Sequence, residues 1–168
     1  MVTQSAEESQ RRQQQEIYLL LHNIRSTHNV GAIFRTADAV GVKKIYVSGY
    51  TPAPIDRFGR VRQDISKASL GAEKTVAWES IKDIKELIEN LKKEKVKIIG
   101  LEQDKNSIDY TEAKLADKNL LIVGSEVEGI EKEILSHCDE IIEIPMRGQK
   151  ESLNVSVATG IVLYALLK

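Results

Sequence analysis

The segment Asn23–Gly41, NIRSTHNVGAIFRTADAVG, sets an arginine, Arg35, at the edge of a helical apolar face made by Val30, Ile33, Phe34, Ala37 and Val40. A guanidinium is a permanent cation with a planar fork of donors, suited to gripping phosphate or stabilising a developing oxyanion. Taken alone, the same residue reads as a solvent-facing arginine with its stem laid on the helix. Asn29 stands where it would cap that helix. A second stretch, IVGSEVEGI at 122–130, runs a strand into two glycines and two acids. Gly124 and Gly129 allow a sharp turn and close approach of a ligand to the main chain. The plainer reading is a strand-to-helix turn with Glu126 or Glu128 at a helix N-terminus.

The third stretch, IPMRGQKESLNVSVATGIVLYALL at 144–167, is the most informative. Ser152 is expected as an N-cap, followed by an apolar stripe of Leu153, Val157, Ala158, Ile161, Val162, Ala165 and Leu166. Val155, Leu163 and Tyr164 fall outside that stripe. A helix apolar on more than one side has a second packing partner, commonly another subunit. Asn154 and Ser156 are polar residues of its first turn, placed to face a ligand at the sheet end. A fourth region, GYTPAPIDRFGRVR from Gly49 to Arg62, has no clear period and sets Arg57, Arg60 and Arg62 around Phe58. It is either a solvated loop or a surface for phosphate and base contacts. Arg11 and Arg12 are further candidates for such contacts.

These residues need a scaffold, and the apolar pattern supplies one. Short apolar runs at 17–22, 43–49, 96–102, 119–125 and 140–145 read as buried strands, with helical spacing over 29–40, 80–94, 128–137 and 152–167. That alternation predicts an α/β fold: a mostly parallel sheet with helices on both faces. In such sheets ligands bind beyond the carboxyl ends of the strands, where all three polar stretches fall. Residues 1–15 are expected as a polar tail or short helix before a single domain over 16–168. They lack the apolar core of a signal peptide.

Composition narrows the function classes. The chain has 168 residues, 42% hydrophobic and 29% charged, an ordinary balance for one globular domain. No apolar run approaches the roughly 20 residues of a membrane span, so a cytoplasmic protein is expected. The net charge of −1 gives no global pull toward nucleic acid, so an RNA contact must use a local basic patch. Neither the GxGxxG nor the GxxxxGK[ST] phosphate signature is present, which disfavours a nucleotide-cofactor metabolic enzyme. His137 and Cys138 are adjacent without CxxC or HxxxH, so no metal is expected. His22, His28 and His137 read as ordinary loop or surface residues.

Together and in this order, NVGAIFRTADAVG, GSEVEGI and IPMRGQKESLNVSVATGI resemble the SpoU/TrmH group of the SPOUT superfamily, S-adenosylmethionine-dependent RNA ribose 2′-O-methyltransferases. The resemblance implies a C-terminal deep trefoil knot, a topology that connectivity rules alone would reject. It implies a homodimer and an RNA substrate, transfer or ribosomal. By position, it implies Asn29, Arg35, Glu126, Ser152 and Asn154 as catalytic candidates. It implies Gly124, Ile144 and Leu153, with Leu101 and Met146 beside them, as cofactor contacts. Glu126 is expected to orient Arg35 through a charge-assisted hydrogen bond, and Arg57, Arg60 and Arg62 to contact RNA. The alternative is a catalytically silent RNA-binding protein of the same fold.

Overall fold

A computed structural model describes residues 15–167. Arg11, Arg12 and nearly all of the expected tail lie outside them. The described chain runs β1 (Glu16–His22), α1 (Thr27–Val40), β2 (Lys44–Ser48), α2 (Gln63–Ser69), α3 (Ala72–Thr75) and β3 (Ala77–Ser80). It continues through α4 (Ile84–Lys93), β4 (Val96–Leu101), β5 (Ile108–Asp109), a 3₁₀ turn (Tyr110–Glu112) and β6 (Lys118–Val123). It ends with α5 (Lys132–Leu135), β7 (Glu140–Glu143) and α6 (Val155–Leu166). The seven strands form one sheet in the order β3-β2-β1-β6-β4-β7-β5, and their pairings are all parallel.

The parallel ladder explains the unbroken apolar runs. Successive side chains of a strand point to opposite faces, so a sheet covered on both sides needs apolar residues at every position. In β1, Leu19 and Leu21 join Ile33, Phe34 and Ala37 of α1 and Val162, Leu163 and Leu166 of α6 in one core. Leu20 joins Ile88 and Leu91 of α4 and Ile134 of α5 in the other. Each fully buried side chain of this kind contributes about 1.5–3 kcal/mol. Register aligns the strand ends: His22 with Ser48, Leu21 with Val123, and Leu101 with Val123. The loops that follow β1, β2, β4 and β6 therefore leave the sheet at one edge.

Several expectations change. The cap of α1 is Ser26, whose Oγ accepts from Asn29 N at 3.2 Å. Asn29 is thereby freed from capping and sits buried in the first turn. The helix expected over 128–137 is only α5, because residues 125–129 form a closed turn, so Glu126 and Glu128 stand at no helix N-terminus. The cap of α6 is Asn154, not Ser152; its Oδ1 accepts from Ser156 N at 2.8 Å. The expected stripe of α6 is rotated. Val155, Thr159, Val162, Leu163 and Leu166 are buried, whereas Val157 and Ile161 are exposed. Strands β3 and β5 and helices α2 and α3 were not expected. No described helix is long and apolar enough to cross a membrane.

Candidate active site

The loop after β6 is built around Ser125. Its Oγ accepts from Val127 N and Glu128 N at 3.2 and 3.3 Å, and Gly129 N donates to Ser125 O at 2.9 Å. The loop folds back so closely that a Cβ at Gly124 would stand 2.6 Å from Gly129 O, so only glycine fits there. Glu102, just past β4, pins the far side, its Oε2 accepting from Ile130 N at 2.8 Å. Between this loop, the end of β4 and the segment 143–158 lies a cavity of about 460 Å³. That is within the roughly 300–1,000 Å³ typical of small-ligand sites.

The cavity wall has two chemical halves. Leu101, Val123, Ile144, Met146, Leu153, Val155 and Ala158 supply apolar surface. Glu102, Glu126, Glu128, Glu143 and Glu151 supply carboxylates, and no lysine, arginine or histidine is in the lining. A site so charged attracts a cationic ligand and repels phosphate. The five residues proposed for the cofactor, Leu101, Gly124, Ile144, Met146 and Leu153, all line this one cavity, as do Glu126 and Ser152.

Asn29 and Asn154 join the cavity through a directed chain of hydrogen bonds. Asn29 Nδ2 donates to Glu126 Oε1 at 2.8 Å, and Asn154 Nδ2 donates to Asn29 Oδ1 at 3.1 Å. An ionised carboxylate only accepts, so it fixes the Asn29 amide with its NH₂ toward Glu126 and its oxygen toward Asn154. Three elements distant in sequence, α1, the β6 loop and the start of α6, are tied here.

Arg35 is not part of that chain. Glu126 takes Asn29 instead, which corrects the expected Arg35–Glu126 contact. Arg35 is exposed on α1 and lines a separate depression with His28, Ala32, Thr36, Ala39, Ala68 and Tyr164. The three loop arginines also differ from one another. Arg57 and Arg60 lie over the Phe58 ring at 4.8 and 4.9 Å, and Arg60 is paired with Asp56 at 3.0 Å. Arg62 stands at the start of α2 with its Nε buried.

Sequence reading missed the carboxylates Glu102, Glu143 and Glu151, because single acids at the end of β7 and in the segments after β4 and β7 carry no spacing signal. It also missed Arg25 and Tyr50, stacked at 5.4 Å. His22 is not a surface residue: it is buried, with Nδ1 2.8 Å from Ser48 Oγ and Nε2 3.5 Å from Glu131 Oε1. Burial pushes the Cys138 thiol up to about 12, so it is no nucleophile at neutral pH. Among the described residues no group of His, Cys, Asp and Glu has the form of a metal site.

Comparisons with known proteins agree with this architecture. The model of the SpoU rRNA Methylase family matches residues 16–164. The 23S rRNA (guanosine-2′-O-)-methyltransferase RlmB of Escherichia coli strain K12 is 34% identical over 154 residues, covering 92% of this chain and 60% of the relative. This chain thus spans about 60% of the length of the curated relatives it matches. The AdoMet-bound rRNA methyltransferase from Sinorhizobium meliloti superposes with a TM-score of 0.81 at 25% identity, covering 93% of this chain and 59% of the other. The A. aeolicus TrmH/SpoU tRNA modifying enzyme superposes at 0.79 with 28% identity, covering 98% and 81%. With all but the ends of the chain inside the family's model, this protein belongs to the SpoU rRNA Methylase family.

Proposed function

We propose that the protein is a cytoplasmic S-adenosylmethionine-dependent methyltransferase acting on a ribose 2′-hydroxyl of structured RNA, transfer or ribosomal. The observation that carries this reading is the cavity walled by carboxylates and apolar side chains and free of cations. S-adenosylmethionine supplies an electrophilic methyl group on a sulfonium, and it carries a second positive charge on its amino group. The chemistry of the wall fits that ligand: Leu101, Ile144, Met146 and Leu153 would hold the flat adenosyl part, the main chain at Gly124 would meet its polar edge, and the glutamates would face the cations. In this reading residues 16–168 form the methyltransferase domain, and the C-terminal segment is threaded as a trefoil knot, a topology supported by family membership.

On the RNA side, Asn29, Asn154 and Ser152 would position the acceptor ribose, and Arg35 would bind its phosphate and stabilise charge developing on the 2′-oxygen. The hydroxyl proton would leave to water or a neighbouring phosphate, since a guanidinium is no base at neutral pH. Arg57, Arg60 and Arg62, on the β2–α2 connection, would add contacts to the RNA. Calorimetry with S-adenosylmethionine in the presence of a chelator is the test. Saturable binding without added metal is expected, followed by transfer of labelled methyl to the 2′-oxygen of RNA. An absence of heat at millimolar cofactor overturns the reading.

A homodimer belongs to the same proposal. On α6 the exposed apolar residues are Val157, Ile161 and Tyr164, at 50%, 37% and 57% exposure and on one helical face. Val155 and Leu163, named from sequence for this role, are buried within the chain instead. Light scattering at micromolar concentration is expected to give twice the chain mass. Ile161→Glu is expected to shift it toward the monomer, and a monomeric wild type would exclude this assembly.

A further inference from the structure

Tyr50 and Arg25 form a flat, exposed platform beside the Glu126 loop. Tyr50 is 47% exposed, its ring lies 5.4 Å under the Arg25 guanidinium, and its hydroxyl reaches Ser125 Oγ at 3.5 Å. Ser125 directly precedes Glu126, the acceptor end of the Asn154–Asn29–Glu126 chain. The platform is therefore placed where a nucleotide with its ribose at that chain would project its base.

The platform rests on a fixed frame. Tyr50 N donates to Asn23 Oδ1 at 3.2 Å. A Cβ at Gly49, whose φ is +62°, would lie 1.8 Å from that oxygen, so glycine is required for Asn23 to reach across. On the Arg25 side, Ile24 N donates to Thr51 Oγ1 at 3.0 Å, and Thr51 Oγ1 donates to Leu21 O at 2.9 Å from a buried position. Asn23 and Thr51 thus clamp residues 21–25 to 49–51 from both sides. His22, held to Ser48 Oγ and 3.1 Å from Asn23 Nδ2, closes the frame beneath. Nothing in the packing of the core needs an exposed ring here, yet the buried Thr51 and the half-buried Asn23 fix the backbone that presents it.

We propose that Tyr50 and Arg25 stack the base of the acceptor nucleotide, so that this site takes a nucleotide already out of its helical stack. The proposal rests on the methyltransferase reading above and adds the class of RNA to it. A base inside a duplex has both faces covered by its neighbours, so only an unpaired or extruded base can lie against an aromatic ring. The carboxylates of the cavity repel phosphate, while Arg25 over the ring attracts it, which favours a nucleotide with its phosphate on the Arg25 side. Phe58, 66% exposed and stacked by Arg57 and Arg60, repeats the same aromatic–arginine pairing on the same connection.

The test uses an unstructured oligoribonucleotide carrying one 2-aminopurine, alone and annealed to its complement. Wild type is expected to bind the single strand at least about tenfold tighter than the duplex and to quench the fluorophore, the scale of losing one stacked base. Tyr50→Leu is expected to abolish the quench and weaken single-strand binding about tenfold. Tyr50→Phe, which keeps the ring, should bring binding back to within about threefold of wild type. In methyl transfer, Tyr50→Leu is expected to raise KM for RNA with cofactor Kd and melting temperature unchanged. Equal affinity of wild type for single strand and duplex, or a Tyr50→Leu protein that binds and methylates like wild type, overturns the platform. A wild type that transfers no methyl to RNA while still quenching in a Tyr50-dependent way overturns the methyltransferase reading, and with it the assignment of this base to an acceptor.

Discussion

Arg35→Ala is expected to slow methyl transfer at least about 100-fold, the scale of losing one preorganised charge donor, while folding and cofactor affinity stay close to wild type. Position separates these effects. The side chain is exposed on α1 and lines a depression with His28 and Tyr164, whereas the cavity proposed for the cofactor has no arginine in its lining. Deleting it uncovers no core and breaks no bond in the Asn154–Asn29–Glu126 chain. Arg35→Lys is expected to recover little, because lysine keeps the charge and loses the fork that would hold phosphate and ribose oxygen together. Melting temperature, cofactor Kd and single-turnover methylation on the three proteins decide the matter. If Arg35→Ala lost stability and cofactor binding in step with activity, a structural role would account for it.

The depression around Arg35 also touches Tyr164, one of the exposed apolar residues of α6. Arg35 therefore stands beside the surface proposed for the dimer and outside the lining of the larger cavity. A chain read one residue at a time sets Arg35 next to an apolar face, and the motifs lead one to expect it beside Glu126, a place the fold gives to Asn29. Only the helix phase shows that Asn29, six residues earlier, is the residue that turns inward.

Elements with strong internal contrast were legible in the sequence. LLIV in β6 and IYLLL in β1 are apolar at consecutive positions because both faces of a parallel sheet are buried, and IYLLL is bounded by Glu16 and His22. Strand β3, AWES, lies at the sheet edge and is mostly exposed, so it carries no apolar run to find. Helices α2 and α3 are short and are separated by Leu70 and Gly71, both at positive φ, which interrupts any period. The phase of α6 failed for the opposite reason. It is apolar nearly all round, so hydrophobic spacing cannot choose a face. Thr159 settles the face in the folded chain: its hydroxyl donates to Val155 O at 2.7 Å, so a polar residue is buried without an unmet hydrogen bond. The residues of the candidate site were reached through family resemblance, because the bonds joining Asn29, Glu126 and Asn154 span 97 and 125 positions of sequence.

Those long-range bonds make Asn29 the residue whose replacement should change most at once. It is 8% exposed, donates to Glu126 and accepts from Asn154. Asn29→Ala leaves the Asn154 amide without its acceptor and the Glu126 carboxylate without its donor. Glu126 and Asn154 are themselves exposed, so water can take up the freed acceptor and donor. The loss is that of two hydrogen bonds at about 0.5–1.5 kcal/mol each, and at about 2–4 °C per kcal/mol for a chain of this size the melting temperature is expected to fall by about 2–12 °C. Asn29→Asp is the sharper variant. It nearly preserves volume but turns the NH₂ that faces Glu126 into a carboxylate oxygen, setting two like charges at hydrogen-bond distance. The β6 loop and α1 would then repel where they now attract, and since that loop lines the cavity, S-adenosylmethionine binding should weaken together with methyl transfer, the latter by about 100- to 1,000-fold. Asn29→Asp paired with Glu126→Gln restores one donor and one acceptor across the contact, with the direction of the hydrogen bond reversed. The double variant is expected to regain melting temperature and cofactor affinity over Asn29→Asp alone. If the two single changes were simply additive in a double-mutant cycle, the Asn29–Glu126 contact would carry no energy of its own, and the loop would have to be held by Glu102 and Ser125 alone.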